Sequence, residues 1–245
     1  MTDFLQKGVE KLTALFPAAI FYKPISERMM ALTIDDVPVP EASSPCPTRW
    51  ILTAIAEHNQ SVSNQEENVR ATFFVIGSHL NEDRTLLTDL VAQGHEVANH
   101  GLIDTWPALQ SKMRFTEDFR RTHDLLTEQI PSCPIRWYRP GRAFYTSQML
   151  ETVQQTEGYE PTFALASMLP LDTLPGGGNP RLTARYVAQH VFPGAILLLH
   201  GGSVARSRNT AAALRLILPN LQSQGYRVTT LSHLWDQSPD NDRSI

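Results

Sequence analysis

A chain of 245 residues, 42% hydrophobic and 19% charged, carries enough apolar material for one large core and reads as an ordinary globular domain. Its formal net charge of −4 gives no long-range attraction to nucleic acid or to anionic lipid, which argues against both as partners. Two cysteines, Cys46 and Cys133, lie in proline-flanked stretches and are expected as free thiols, since nothing in the sequence brings them together.

In chain order, Phe4, Leu5, Val9, Leu12, Leu15 and Phe16 fall at helical spacing and predict an amphipathic N-terminal helix within a lead-in segment, 1–28. Asp3, Lys7, Glu10 and Lys11 interrupt it, so no secretory signal is legible, and no apolar run approaches membrane-spanning length. The expectation is a soluble cytoplasmic protein, or a periplasmic or extracellular one if a targeting segment has been removed. Met29-Met30-Ala31-Leu32 then leads into Thr33-Ile34-Asp35-Asp36-Val37-Pro38, a short apolar run bounded by Pro38 and Pro40 that predicts a buried strand. Successive strand side chains point to opposite faces, so Asp35 and Asp36 take different environments unless the strand ends between them. Two carboxylates this close call for a metal, an arginine or both, although a solvated Asp-Asp turn accounts for the hexapeptide alone.

Helices and strands alternate from there. A helix is predicted over 49–57 and a polar surface loop over 58–68. A buried strand at 71–76 is closed by Gly77, and a helix over 82–93 is stopped by Gly94. Strand 95–100, helix 116–129, strand 135–139, helix 147–156 and strand 161–167 follow. Helix 183–191, strand 195–199, helix 210–224 with Gly225 as its stop, and strand 226–231 complete the pattern. About seven strand–helix units imply parallel pairing through crossovers, and they fit a distorted (β/α)7-type barrel over 29–236. No domain boundary interrupts it, and 237–245 is a polar tail.

The polar residues collect at the C-terminal strand ends, where barrel active sites form. Asp35 and Asp36 end the first strand, His100 the third and Arg139 the fourth; Asp172 lies just after the fifth, and His200 ends the sixth. His100 and Asp104 are spaced i, i+4, which places them on one side of a helical turn. With Asp36 they supply three ligands of the kinds that bind zinc, manganese or iron, leaving a position open for water. A core histidine beside a capping aspartate explains the isolated pair equally. Arg139 near Asp35 would keep that carboxylate ionised and oriented. His200 ends the most apolar strand, so it either sits satisfied in the core or takes Asp172 as a partner that raises its pKa, as a general acid requires. His58, His79, His95, His123, His190 and His233 receive no role.

These residues resemble a known family. Thr33-Ile34-Asp35-Asp36-Val37-Pro38 is similar to the first signature of polysaccharide deacetylases, usually Thr-Phe-Asp-Asp-Gly-Pro, and Arg70 to Gly77 resembles the family's second strand. Gly94 to His100 resembles the run into its metal histidine, and Arg139-Pro140-Gly141-Arg142 stands where Arg-Pro-Pro-Tyr is usual. Leu197 to His200 is similar to the strand bearing the catalytic histidine, and 221–234 to the closing helix and strand. The resemblance implies a hydrolase that removes N-acetyl groups from chitin- or peptidoglycan-like saccharides. It implies Asp35 as base, Asp36, His100 and Asp104 as metal ligands, Arg139 as the group orienting Asp35, and His200 as acid tuned by Asp172. It also implies the Arg142 N–H as oxyanion donor and Leu198 as a wall of the acetyl pocket. The cofactor implied is a divalent metal, zinc first, with manganese, cobalt, nickel and iron as alternatives.

Several positions depart from the pattern. Asp104 replaces the third ligand, a histidine, which lowers the site's net positive charge and favours a harder metal. Val37 replaces a glycine, Gly101 a serine or threonine, Arg142 a tyrosine, and Thr173 stands where a tryptophan walls the pocket. These changes leave two other readings open. One is a hydrolase of another non-peptide C–N bond in a small amide, the other a carbohydrate-binding pseudoenzyme with a decayed metal site. Oligomeric state is not legible.

Overall fold

The computed structural model describes residues 2–40, 46–80, 85–170, 172 and 178–238. The start of the helix expected from 82, Thr173, and the tail beyond 238 lie outside the described residues. The amphipathic N-terminus forms α1 (Thr2–Leu15), followed by a two-residue strand, β1 (Ala19–Ile20), that the sequence did not signal. Next comes β2 (Met29–Val37), buried along its whole length. A strand buried on both faces needs neighbours on both edges and covering helices. β2 accordingly pairs in parallel with β3 (Ala71–Val75), β6 (Ile196–His200) and β7 (Arg227–Thr229), and β3 pairs with β4 (Glu96–Asn99).

Beyond β4 the wall continues through single contacts rather than ladders. Asn99 bridges Tyr138, the Ala164 N–H donates to the Tyr138 carbonyl at 3.0 Å, and Met168 bridges Leu197. The strand expected over 135–139 is therefore one bridged residue, because Pro134 and Pro140 bring no N–H to extend a ladder. The strand expected over 161–167 contracts to β5 (Phe163–Ala164), which pairs with β1. This is the distorted α/β barrel anticipated, with a parallel sheet in a single domain.

The helices are α2 (Thr48–Ser61), α3 (Thr85–Ala92), α4 (Lys112–Gln129), α5 (Ser147–Gln154), α6 (Pro180–His190), α7 (Val204–Ser223) and α8 (Leu231–Trp235). α2 runs into the stretch expected as loop. α4, α6 and α7 start earlier than their apolar periodicity suggests, because side-chain caps set their first turns: Ser111, Asn179 and Ser203 accept from Arg114, Arg181 and Arg206 N–H groups. At the N-terminal ends of the strands, α8 closes the barrel. The Leu231 N–H donates to Thr72 Oγ1 at 2.8 Å, and both the N–H and the hydroxyl of Ser232 donate to the Glu96 carboxylate. The opposite end is left to the polar residues.

Candidate active site

At the C-terminal ends of the strands, Arg139 is the fixed point. It is 2% exposed, its guanidinium lies 4.0 Å from the Phe74 ring centroid, and its donors reach four acceptors. Nε donates to the Ala164 carbonyl at 2.6 Å, Nη2 to the Leu165 carbonyl at 3.2 Å, and Nη1 to Thr33 Oγ1 at 2.8 Å and Asp35 Oδ1 at 2.6 Å. Thr33 passes its own proton to the Leu197 carbonyl at 2.8 Å. A buried charge is tolerated when it is paired and hydrogen-bonded, and this one has Asp35 as its partner while each of its three nitrogens donates.

Alternation along a strand separates adjacent side chains, yet Asp35 and Asp36 bracket the same imidazole. His100 Nε2 lies 3.3 Å from Asp36 Oδ1 and 3.7 Å from Asp35 Oδ2. The reason is local: the β2–β3 register shifts between Ile34 and Val37, and Asp36 takes a φ of 65°, which re-aims its side chain. A non-glycine residue held there stores roughly 1–3 kcal/mol, which the surroundings must over-determine. His79 contributes, its Nδ1 proton shared between the carbonyls of Asp36 at 3.3 Å and Pro38 at 3.0 Å. Gly202 contributes by having no side chain, since a Cβ there would lie 2.5 Å from Asp36 Cβ and 3.0 Å from its carbonyl oxygen. Gly202→Ala is therefore expected to displace Asp36, with a fall in Tm and at least a tenfold loss of turnover, checked by thermal melts beside a hydrolysis assay.

His100 Nδ1 donates to the Arg139 carbonyl at 2.8 Å, so in the neutral ring Nε2 is the lone-pair nitrogen, turned toward the carboxylates. Burial pulls the His100 pKa down, but the Asp35 charge and the bond and charge of Asp36 outweigh it and leave it raised. For Asp36, burial pushes the carboxyl up, while the His100 hydrogen bond and the charges of His100, His200 and Arg206 hold it well below the usual carboxylate range. Arg206, from the first turn of α7, sits with Nη1 3.4 Å from Asp36 Oδ2. No sequence signal marked Arg206 or His79, because each reaches Asp36 only through the tertiary fold.

β6 pairs with β2 so that His200 stands opposite Asp35. Asp172 Oδ2 accepts from the His200 backbone N–H at 2.8 Å and lies 3.1 Å from Nδ1 of its ring. The His200 pKa is lowered by burial but raised more by the hydrogen bond and charge of Asp172 and by the charges of Asp35 and Asp36. The other Asp172 oxygen is buried with no hydrogen-bond partner among the described residues.

The helical turn expected over 100–104 does not form. Gly101 has a φ of 89° and the segment bends, so the i, i+4 argument for His100 and Asp104 fails. Asp104 instead accepts from Arg142 Nη2 at 2.8 Å, both side chains being exposed. Among the described residues no group of three His, Cys, Asp or Glu side chains forms a metal cage. Of the three expected donors, Asp36 and His100 face each other at 3.3 Å, whereas Asp104 is bonded to Arg142. An imidazole lone pair facing carboxylate oxygens suits a divalent cation, and Asp104 lines the same cavity. Arg142 adopts a φ of 61°. Asp35, Asp36, His100, Asp104, Arg139, Arg142, Leu198 and His200 all line one cavity of about 620 Å³. Cys46 and Cys133 are free thiols, as expected.

The architecture and these motifs have counterparts. The family model described as polysaccharide deacetylase matches residues 22–160. A peptidoglycan-N-acetylglucosamine deacetylase of Bacillus cereus is 27% identical over 213 residues, which is 86% of this chain and 90% of that protein. A chitooligosaccharide deacetylase of Sinorhizobium fredii is 30% identical over 213 residues, covering 82% of this chain and 88% of its own length. The crystal structure of a peptidoglycan N-acetylglucosamine deacetylase superposes with a TM-score of 0.76 at 23% identity, over 91% of this chain and 94% of that one. With a family model across more than half its length and relatives along most of it, the chain belongs to the polysaccharide deacetylase family.

Proposed function

We propose that this chain hydrolyses the N-acetyl group of an amino sugar in a saccharide, of the peptidoglycan or chitin-oligomer kind on which its relatives are named to act. The observation that carries the reading is the facing pair on neighbouring strands: Asp35 clamped by Arg139, opposite His200 held by Asp172. Asp36 and His100 would hold a divalent ion, with Asp104 as the third donor; when bound, that ion would supply Lewis acidity toward water and the amide carbonyl.

Asp35 takes the proton of the attacking water, and the Arg139 contacts stop its carboxylate from rotating away. The Arg142 N–H, in its left-handed turn, donates to the carbonyl oxygen as negative charge develops on it. Leu198 borders the acetyl methyl. His200, protonated at both ring nitrogens, gives one proton to the departing amine as the C–N bond breaks, so the products are acetate and the free amino sugar.

Because the protonated His200 ring is the acid, activity falls as pH rises through its raised pKa. Asp172→Asn removes the main contribution that raises it. The alkaline limb of the pH–rate profile is expected to move down toward or below the ordinary histidine value of about 6.5. The same raised pKa stabilises the fold fully below that ordinary value, a contribution that fades as pH climbs through the folded pKa. The Asp172→Asn variant should therefore lose stability mainly on the acid side.

The test of the function is acetate release from N-acetylglucosamine oligomers and peptidoglycan fragments. The protein would be reconstituted in turn with zinc, manganese, cobalt, nickel and iron(II). Release abolished by chelator and restored by one of these ions is expected. Saccharide binding without release under every ion would overturn the proposal in favour of a binding protein.

A further inference from the structure

The cavity that contains Asp35, Asp36, His100 and His200 extends well past its polar floor. Leu12, Phe16, Phe21, Phe144, Leu165 and Leu169 line the same space. Leu12 lies near the end of α1 and Phe16 just after it; that helix is anchored by the buried Val9 and packs against α6. Phe16, Phe144 and Leu169 remain 44%, 59% and 59% exposed, and Phe144 leans on the half-exposed Trp106 with ring centroids 5.4 Å apart. Scattered exposed apolar residues need no explanation, but a group gathered in one concavity that is continuous with catalytic side chains marks a ligand surface. Phe144 and Trp106 could serve a sugar face. Leu12, Leu165 and Leu169 offer sugar hydroxyls neither a hydrogen bond nor a ring to stack on.

We propose that the substrate is amphiphilic: its amide-bearing sugar meets Asp35 and His200, while an alkyl or aryl group lies against Leu12, Phe16 and Leu169. Only the polar end of this statement rests on the deacetylase reading. The apolar group is carried either by the acyl chain or by the aglycone.

Two ligand series separate these sources by titration calorimetry on the full chain in chelator, where turnover does not intrude. One series is N-acylglucosamines from acetyl to octanoyl; the other is alkyl glycosides of N-acetylglucosamine from methyl to octyl. Affinity is expected to rise in one series by up to about fourfold per methylene, the increment for burying a CH2 group. Phe16→Asp and Leu12→Asp should flatten that rise. Phe16→Leu should keep it, as should Leu216→Asp at an exposed position of α7 away from the cavity lining. Affinity independent of chain length in both series, or a rise untouched by Phe16→Asp and Leu12→Asp, overturns the proposal whatever the acetate assay gives. A length-dependent rise that Phe16→Asp abolishes, in a protein that releases no acetate under any ion, upholds the apolar site and removes the deacetylase reading alone.

Discussion

Arg139→Met is expected to destabilise the fold by about 3–5 kcal/mol, lowering Tm by roughly 10 °C, and to abolish turnover. Methionine fills much of the buried volume but donates nothing. The carbonyls of Ala164 and Leu165 lose their donors, and Asp35 loses the guanidinium 2.6 Å away that balances its charge in a buried position. Breaking a buried pair from one side costs more than the pair itself contributes, because a lone charge remains out of water. Arg139→Lys is expected to recover only part of the loss, since an ammonium cannot span the directions that Nε, Nη1 and Nη2 serve. Thermal melts and urea titration check the stability, and acetate release checks the turnover. A Tm within a degree or two of the parent would show that Arg139 is not the anchor its contacts imply.

Asp35→Asn is expected to separate chemistry from stability. The amide oxygen can still accept from Arg139 Nη1, so the fold persists at a smaller cost than in the Arg139→Met variant. The base is gone, and kcat should fall by about 10²–10⁴, the range supplied by a positioned proton acceptor. Saccharide affinity should hold, because Asp35 acts on the water's proton rather than on the sugar. Steady-state kinetics with a KM against kcat split, beside equilibrium binding, reads the two effects apart. Near-parental kcat in this variant would take the base assignment from Asp35.

The main buried parallel strands and the positions of their C-terminal ends were legible for a physical reason. Parallel strands buried on both faces must be continuous apolar runs, and each ends where the chain meets the solvent-facing rim. Asp35, His100, Arg139 and His200 stand at those ends, so one-dimensional spacing carried three-dimensional proximity. The caps were legible in principle: Ser111, Asn179 and Ser203 are ordinary N-cap residues, and weighting them would have set three helix starts correctly. The strand over 135–139 was over-read because apolar content predicts burial, whereas a ladder also needs backbone donors that flanking prolines lack.

What the tertiary structure decided lies in the backbone and in long-range partners. Alternation along β2 predicts opposite directions for Asp35 and Asp36; the register shift and the φ of 65° at Asp36 bring both to His100. Helical spacing predicts His100 and Asp104 together; the left-handed Gly101 bends the segment, and Arg142 takes Asp104. Arg206 and His79 reach Asp36 across 170 and 43 positions of sequence, and Leu12 and Phe16 reach the catalytic cavity from the N-terminal helix. Local pattern determines which residues are buried and where strands end, because those depend on neighbouring residues. The aim of a carboxylate and the choice of its counter-charge depend on groups distant in sequence, and only the folded chain settles them.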